Sequence, residues 1–234
     1  MYFSSMEYYI LQAAAGTTET GNEYPQVIYI DAKKLNPNPF FIVNTVDPWE
    51  YVPETILPFE PLTLVFGAKL TDLMSSPFRV NGFLISPKLR ELFEQEGVTD
   101  CRYYPVKVMY NKKGDTKDYY YYHSVSCLRD YVDYKRSKFF INKRGIGFSH
   151  YIANVNTYND LKQIQSTLDL NTSIKPEQFY LKANFPYHQP LFRICVFNNG
   201  FFITGKFKSE IEKNKIAGVH TIPAKDLIKT PNLS

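Results

Sequence analysis

Three cysteines in 234 residues, Cys101, Cys127 and Cys195, are too few and too scattered for a disulfide framework. An odd count at these spacings fits a reducing compartment, so a cytoplasmic protein is expected. No apolar run approaches the ~20 residues of a membrane span, and no membrane partner is expected. The opening stretch "MYFSSMEYYILQAAAG" lacks the basic region of a signal peptide and carries Glu7 instead.

Catalytic motifs are missing too. There is no Gly-x-Ser-x-Gly elbow, no Walker loop and no His-Glu-x-x-His helix. "RGIGF" pairs Gly145 with Gly147, but it has no third glycine and no strand is expected before it, which argues against a nucleotide loop. His123, His150, His188 and His220 stand far apart. His123 and Cys127 would share a face of one expected strand, yet two ligands do not make a zinc site. A strand histidine packed among tyrosines is the plainer reading. Asp130 and Asp133 flank Tyr131 without an acid–base partner and read as surface ion pairs. No catalytic residue, metal ligand or cofactor is assigned, and the chain is expected not to be an enzyme.

Positive charge is absent from residues 35–68, where Asp47, Glu50, Glu54 and Glu60 are acidic. Six prolines in 35–61 exclude a long helix or a central strand there. An ordered wrapping loop is expected, carrying the only tryptophan, Trp49. Residues 134–150 are the reverse, with Lys135, Arg136, Lys138, Lys143 and Arg144 and no acid. Phe139, Phe140 and Phe148 interleave with these cations, which is the chemistry of a nucleic-acid-binding module. The modest net charge of +4 counts against a dedicated one.

Aromatics are abundant, with 19 Tyr and 18 Phe. Most should fill a β-rich core; exposed ones suit recognition. The chain also repeats itself. Residues 81–106 and 199–224 align without gaps, with Asn81/Asn199, Gly82/Gly200, Phe83/Phe201, Ile85/Ile203, Lys88/Lys206, Glu94/Glu212 and Pro105/Pro223 identical. Each is expected to form strand–helix–strand, with Ser86 or Thr204 as N-cap and Pro87 at the first helical position. Leu89, Leu92, Phe93, Phe207 and Ile211 fall on buried faces. Gly97 should be the left-handed residue ending the first helix, and Asn214 should end the second. "NKKGDTKD" reads as a hairpin turn. A further helix over 159–170 should start at Asn159.

The expected fold class is α+β, a mixed, largely antiparallel sheet with short packed helices and a duplicated strand–helix–strand unit. One compact domain is expected, in four stretches. These are an N-terminal strand and Pro-rich wrap (1–59), the first unit (60–110), a hairpin and connecting helix (111–176), and the second unit (177–234).

Some of these residues resemble a known family. Thr71-Asp72-Leu73, Ile85-Ser86-Pro87-Lys88-Leu89, Tyr104-Pro105-Val106 and the patch Asp133, Tyr134, Ser137 and Phe139 are similar to motifs of a bacterial family once of unknown function, now grouped with the immunity proteins of polymorphic toxin systems. The resemblance covers about residues 60–225 and leaves the Pro-rich segment unmatched. It implies a non-catalytic protein that binds a cognate secreted toxin, encoded by a neighbouring gene, in the producing cell's cytoplasm. The candidate partner-binding residues are Asp47, Trp49, Glu50 and Tyr51 on the acidic loop, or Lys135, Arg136, Lys143 and Arg144 on the basic run. The alternatives are the nucleic-acid-binding module of run 134–150 and an uncharacterised enzyme.

Overall fold

The computed structural model describes residues 6–29, 62–75, 82–197 and 200–230. Asp47, Trp49, Glu50 and Tyr51, and with them the Pro-rich segment expected to wrap as a loop, lie outside the described residues. The described residues hold three α-helices and three sheets of mixed and antiparallel pairing, an α+β fold. They group into two compact units, each assembled from segments distant in sequence: Met1–Leu11 with Cys127–Lys208 and Thr221–Ser234, and Gln12–Ser126 with Ser209–His220.

The second of these units holds a six-stranded sheet ordered β2-β3-β6-β7-β5-β4. Its strands are β2 (Val27–Tyr29), β3 (Leu62–Leu64), β4 (Leu73–Met74), β5 (Gly82–Ile85), β6 (Cys101–Met109) and β7 (Thr116–Ser124). β6 and β7 form the expected hairpin, closed by the Tyr110 N–H on the Asp115 carbonyl. Alternation along β7 sends Tyr119 and Tyr121 into one buried cluster with Tyr104, Val106 and Val108. Tyr122 faces the other way and meets Phe93 edge-on at 5.2 Å. Phe93 belongs to helix α1 (Pro87–Gln95), which buries Leu89, Leu92 and Phe93.

The first unit holds a sheet ordered β14-β10-β8-β9. These are β8 (Lys138–Lys143), β9 (Gly147–Tyr151), β10 (Thr172–Tyr180) and the short β14 (Ile228–Lys229). Phe139, Ile174, Phe179 and Ile228 join a core with Leu161 of helix α2 (Tyr158–Thr167). Helix α2 is capped by Thr157, not by Asn159. Thr157 accepts from the Asp160 N–H at 3.2 Å, and the Asp160 carboxylate accepts from the Thr157 N–H at 2.9 Å. This reciprocal box satisfies two orphan donors at once, which Asn159 two residues later could not do. The last sheet, β11-β12-β1-β13, is built from β1 (Tyr8–Ala13), β11 (Leu191–Phe192), β12 (Phe201–Thr204) and β13 (Val219–Pro223).

Both similar segments form strand–helix–strand, the second through helix α3 (Gly205–Lys213). Their caps correspond in detail. The Leu89 N–H donates to the Ser86 hydroxyl and the Phe207 N–H to the Thr204 hydroxyl, each at 3.2 Å. At the other end, the Val98 N–H reaches the Phe93 carbonyl and the Gly97 N–H that of Glu94; Ile216 to Ile211 and Lys215 to Glu212 repeat the pattern. This is the Schellman closure, with Gly97 (φ 74°) and Lys215 (φ 49°) in the left-handed position. Lys215, rather than Asn214, is thus the left-handed terminator. In each case the two strands flank an antiparallel third: β7 between β5 and β6, β1 between β12 and β13. The middle strand follows its pair in one case and comes from the start of the chain in the other. The arrangements are alike, but a duplicated domain is not displayed by them.

Candidate binding surface

The basic run folds into a hairpin whose cations separate to its two ends. Lys135 and Arg136 sit in the turn before β8, where the Ser137 hydroxyl donates to the Asp133 carbonyl at 2.7 Å and accepts from the Tyr180 N–H at 3.0 Å. The Arg136 guanidinium lies 4.6 Å over the Tyr180 ring. Tyr134 stacks on Phe139 at 6.1 Å and donates to the Arg129 carbonyl. The patch Asp133, Tyr134, Ser137 and Phe139 therefore builds the entry into β8. Lys143 and Arg144 lie at the far end of β8, Lys143 about 17 Å from Lys138 at roughly 3.4 Å per residue.

"RGIGF" makes the turn between β8 and β9, closed by the Ile146 N–H on the Lys143 carbonyl at 3.0 Å. A strand does precede it, contrary to expectation, but a strand also follows it. Gly145 and Gly147 supply the positive φ that the turn needs. The Arg144 N–H donates to the Asn171 carbonyl. Nearby, the Thr172 hydroxyl and the Asn171 N–H donate to the Asp169 carboxylate, which with the Lys143 charge hold its pKa below the ordinary value.

Between these ends the outer face of the sheet carries aromatics. Phe139 is buried, so it is not one of them. Adjacent strand residues face opposite ways, and Phe140 turns outward. It meets Phe148 at 5.5 Å, and Phe148 meets Tyr151 at 5.1 Å. Phe148 and Tyr151 are 52% and 54% exposed, large values for rings that touch one another. Lys175 stands opposite Phe140 in register, and Lys138 alternates onto the same face. The Tyr151 hydroxyl donates to Glu177 at 2.6 Å, which raises the phenol's pKa. Tyr151 joins this cluster without a signal in the sequence. A tyrosine three residues after Phe148 carries no motif; only the bulge between Ile141 and Asn142 brings both rings to one face.

Elsewhere the polar groups do structural work. His123 packs between the Tyr104 and Tyr121 rings at 6.5 and 6.2 Å, and Cys127 lies past the end of β7 rather than on it. Burial pushes the Cys195 and Cys101 thiols up, away from the reactive thiolate. Among the described residues, no three His, Cys, Asp or Glu side chains come together as a metal site. An open depression of about 490 Å³ is lined by Met6, Glu7, Tyr187, His188, Thr204, Gly205 and Lys206. It carries a carboxylate, an imidazole and an ammonium on its rim, with the Glu7 carboxylate accepting from the Tyr9 hydroxyl at 2.8 Å. No described helix is long and apolar enough to cross a membrane.

No protein-family model matches the sequence, and neither does any curated protein.

Proposed function

We propose that this chain is a non-catalytic immunity protein of the cytoplasm, which binds a cognate secreted toxin and blocks it. The observation that carries the reading is the Phe140–Phe148–Tyr151 cluster, exposed on a sheet face and flanked by Lys138 and Lys175. Aromatic anchors ringed by charge are the usual centre of a protein–protein contact, because rigid rings give large area at low entropy cost. Of the two candidate faces, the basic hairpin is favoured, with Lys143 and Arg144 at its rim and Lys135 and Arg136 at its far end. Asp47, Trp49, Glu50 and Tyr51 remain candidates from sequence alone. The two strand–helix–strand segments, read as a duplicated unit, would serve as rigid scaffolding, since their caps and buried faces are committed to packing.

The test is co-expression with the toxin gene beside it. The wild type is expected to relieve growth arrest, and a Phe148→Ala/Tyr151→Ala variant to lose that protection while staying folded. Growth arrest unrelieved by the wild type counts against the reading. A second reading, a single-stranded nucleic-acid binder, draws on the same rings and cations, since bases stack on exposed aromatics. It predicts steep salt dependence of binding to an oligonucleotide.

A further inference from the structure

β9 is the edge of its sheet among the described residues, and apart from the bulge against β8 it carries none of the charges or prolines that keep edges from pairing. Gly147–Tyr151 contains no lysine, arginine or proline, and four of its five residues are exposed. The opposite edge, β14, is only two residues long, itself a protective device. The Ile152 N–H donates inward to the Phe139 carbonyl at 2.9 Å. In an antiparallel ladder the residue before it turns its N–H and C=O the other way, so the backbone of Tyr151 faces the open side.

We propose that β9 takes up an extended, acidic segment of the partner protein as an added strand. This deepens the immunity reading and rests on it. Main-chain bonds to Tyr151 would supply affinity, and side chains above the sheet would meet Phe148 and Tyr151. The charge follows from the neighbours. Lys138 and Lys175 lie on this face and Arg144 in the turn beside it, while Glu177 next to them is already held by the Tyr151 hydroxyl. A second copy of this chain would bring the same cations against one another, so like charge disfavours self-pairing.

The test uses the full chain, labelled for amide exchange, and three probes. These are an octapeptide alternating Glu and Val, one alternating Lys and Val, and a twelve-residue oligothymidylate. The Glu–Val peptide is expected to bind at least tenfold more tightly than the Lys–Val peptide and to slow exchange at the Tyr151 amide at least tenfold. Phe148→Glu, which places a negative charge on the edge, should abolish both effects, and Lys175→Glu should narrow the preference. Equal or absent peptide binding overturns the proposal, as does tighter binding of the oligothymidylate. Concentration-dependent dimers removed by Phe148→Glu also overturn it, since a second copy would then be the occupant. The toxin separates this proposal from the reading beneath it. A toxin complex with unchanged Tyr151 exchange ends strand addition and leaves immunity standing. A toxin that never binds, beside a Glu–Val peptide that protects Tyr151, leaves strand addition standing and ends immunity.

Discussion

The Asp72 carboxylate accepts from the Ser86 hydroxyl at 2.6 Å and, through its second oxygen, from the Ala217 N–H at 2.9 Å. Ser86 is also the N-cap of α1, so one carboxylate orients the cap and ties down the segment after α3. Thr71 and Leu73 beside it are equally committed. The Thr71 hydroxyl donates to the Leu73 carbonyl and accepts from the buried Gln26 amide. The Thr-Asp-Leu element is thus a structural clasp.

Asp72→Ala removes both acceptors and should cost about 1–3 kcal/mol of stability in urea unfolding. Ser86→Ala should cost about 1 kcal/mol. The double variant should cost less than the sum, because the pair shares a bond. Strict additivity would show that the clasp does not operate.

The helix faces give a second expectation. Phe93 and Ile211 are buried at corresponding places on α1 and α3. Phe93→Ala and Ile211→Ala should each destabilise by roughly 2–5 kcal/mol. A thermal midpoint unchanged by either would mean that its helix face is misassigned.

Glycine is needed unequally. At Gly218 (φ 79°) a Cβ would overlap the Leu73 carbonyl and the Thr71 hydroxyl; at Gly97 (φ 74°) it would meet nothing. Gly97→Ala should cost about 1 kcal/mol, the ordinary left-handed penalty. Gly218→Ala should cost clearly more, and equal losses in denaturant titrations would refute the difference.

Hydrogen bonds from the Asn156 and Thr157 N–H groups and the Thr157 hydroxyl lower the pKa of Asp160. A group whose pKa is lower folded than unfolded contributes stability above its unfolded value, near 3.9, and loses it as pH falls through the folded value. The Asn156 and Thr157 amide shifts should therefore titrate with a midpoint below about 3.9. A midpoint at or above that value would mean that the capping box is absent in solution.

Local chemistry was legible in the sequence. Ser86, Thr204, Pro87 and Gly97 act as their residue types dictate, and the helices and the α+β class follow from them. The start of α2 was readable too, since Thr157 and Asp160 stand three apart as a capping box does. Asn159 has the cap propensity but not the reciprocal partner, since Lys162 stands three residues on. Phe139 and Phe140 had to face opposite ways once 138–143 was a strand, so both could not stack on one ligand. What no local signal carries is long-range pairing. β1 inserts between β12 and β13, strands nearly the whole chain away, and only tertiary packing selects that partner. The split of the basic run between two ends of a hairpin is hidden for the same reason.

Isothermal titration of the proposed partner, a toxin encoded by a neighbouring gene, into the wild type and into the Phe148→Ala/Tyr151→Ala variant tests the proposed binding face most directly, with Glu7→Gln/His188→Ala as a control at the open depression. The aromatic pair should weaken binding at least a hundredfold, as removal of a hot-spot cluster does at about 2.7 kcal/mol or more, while the control binds as the wild type does. Wild-type affinity in the aromatic variant, or loss of binding only in the control, would contradict the assignment of the β8–β9 face.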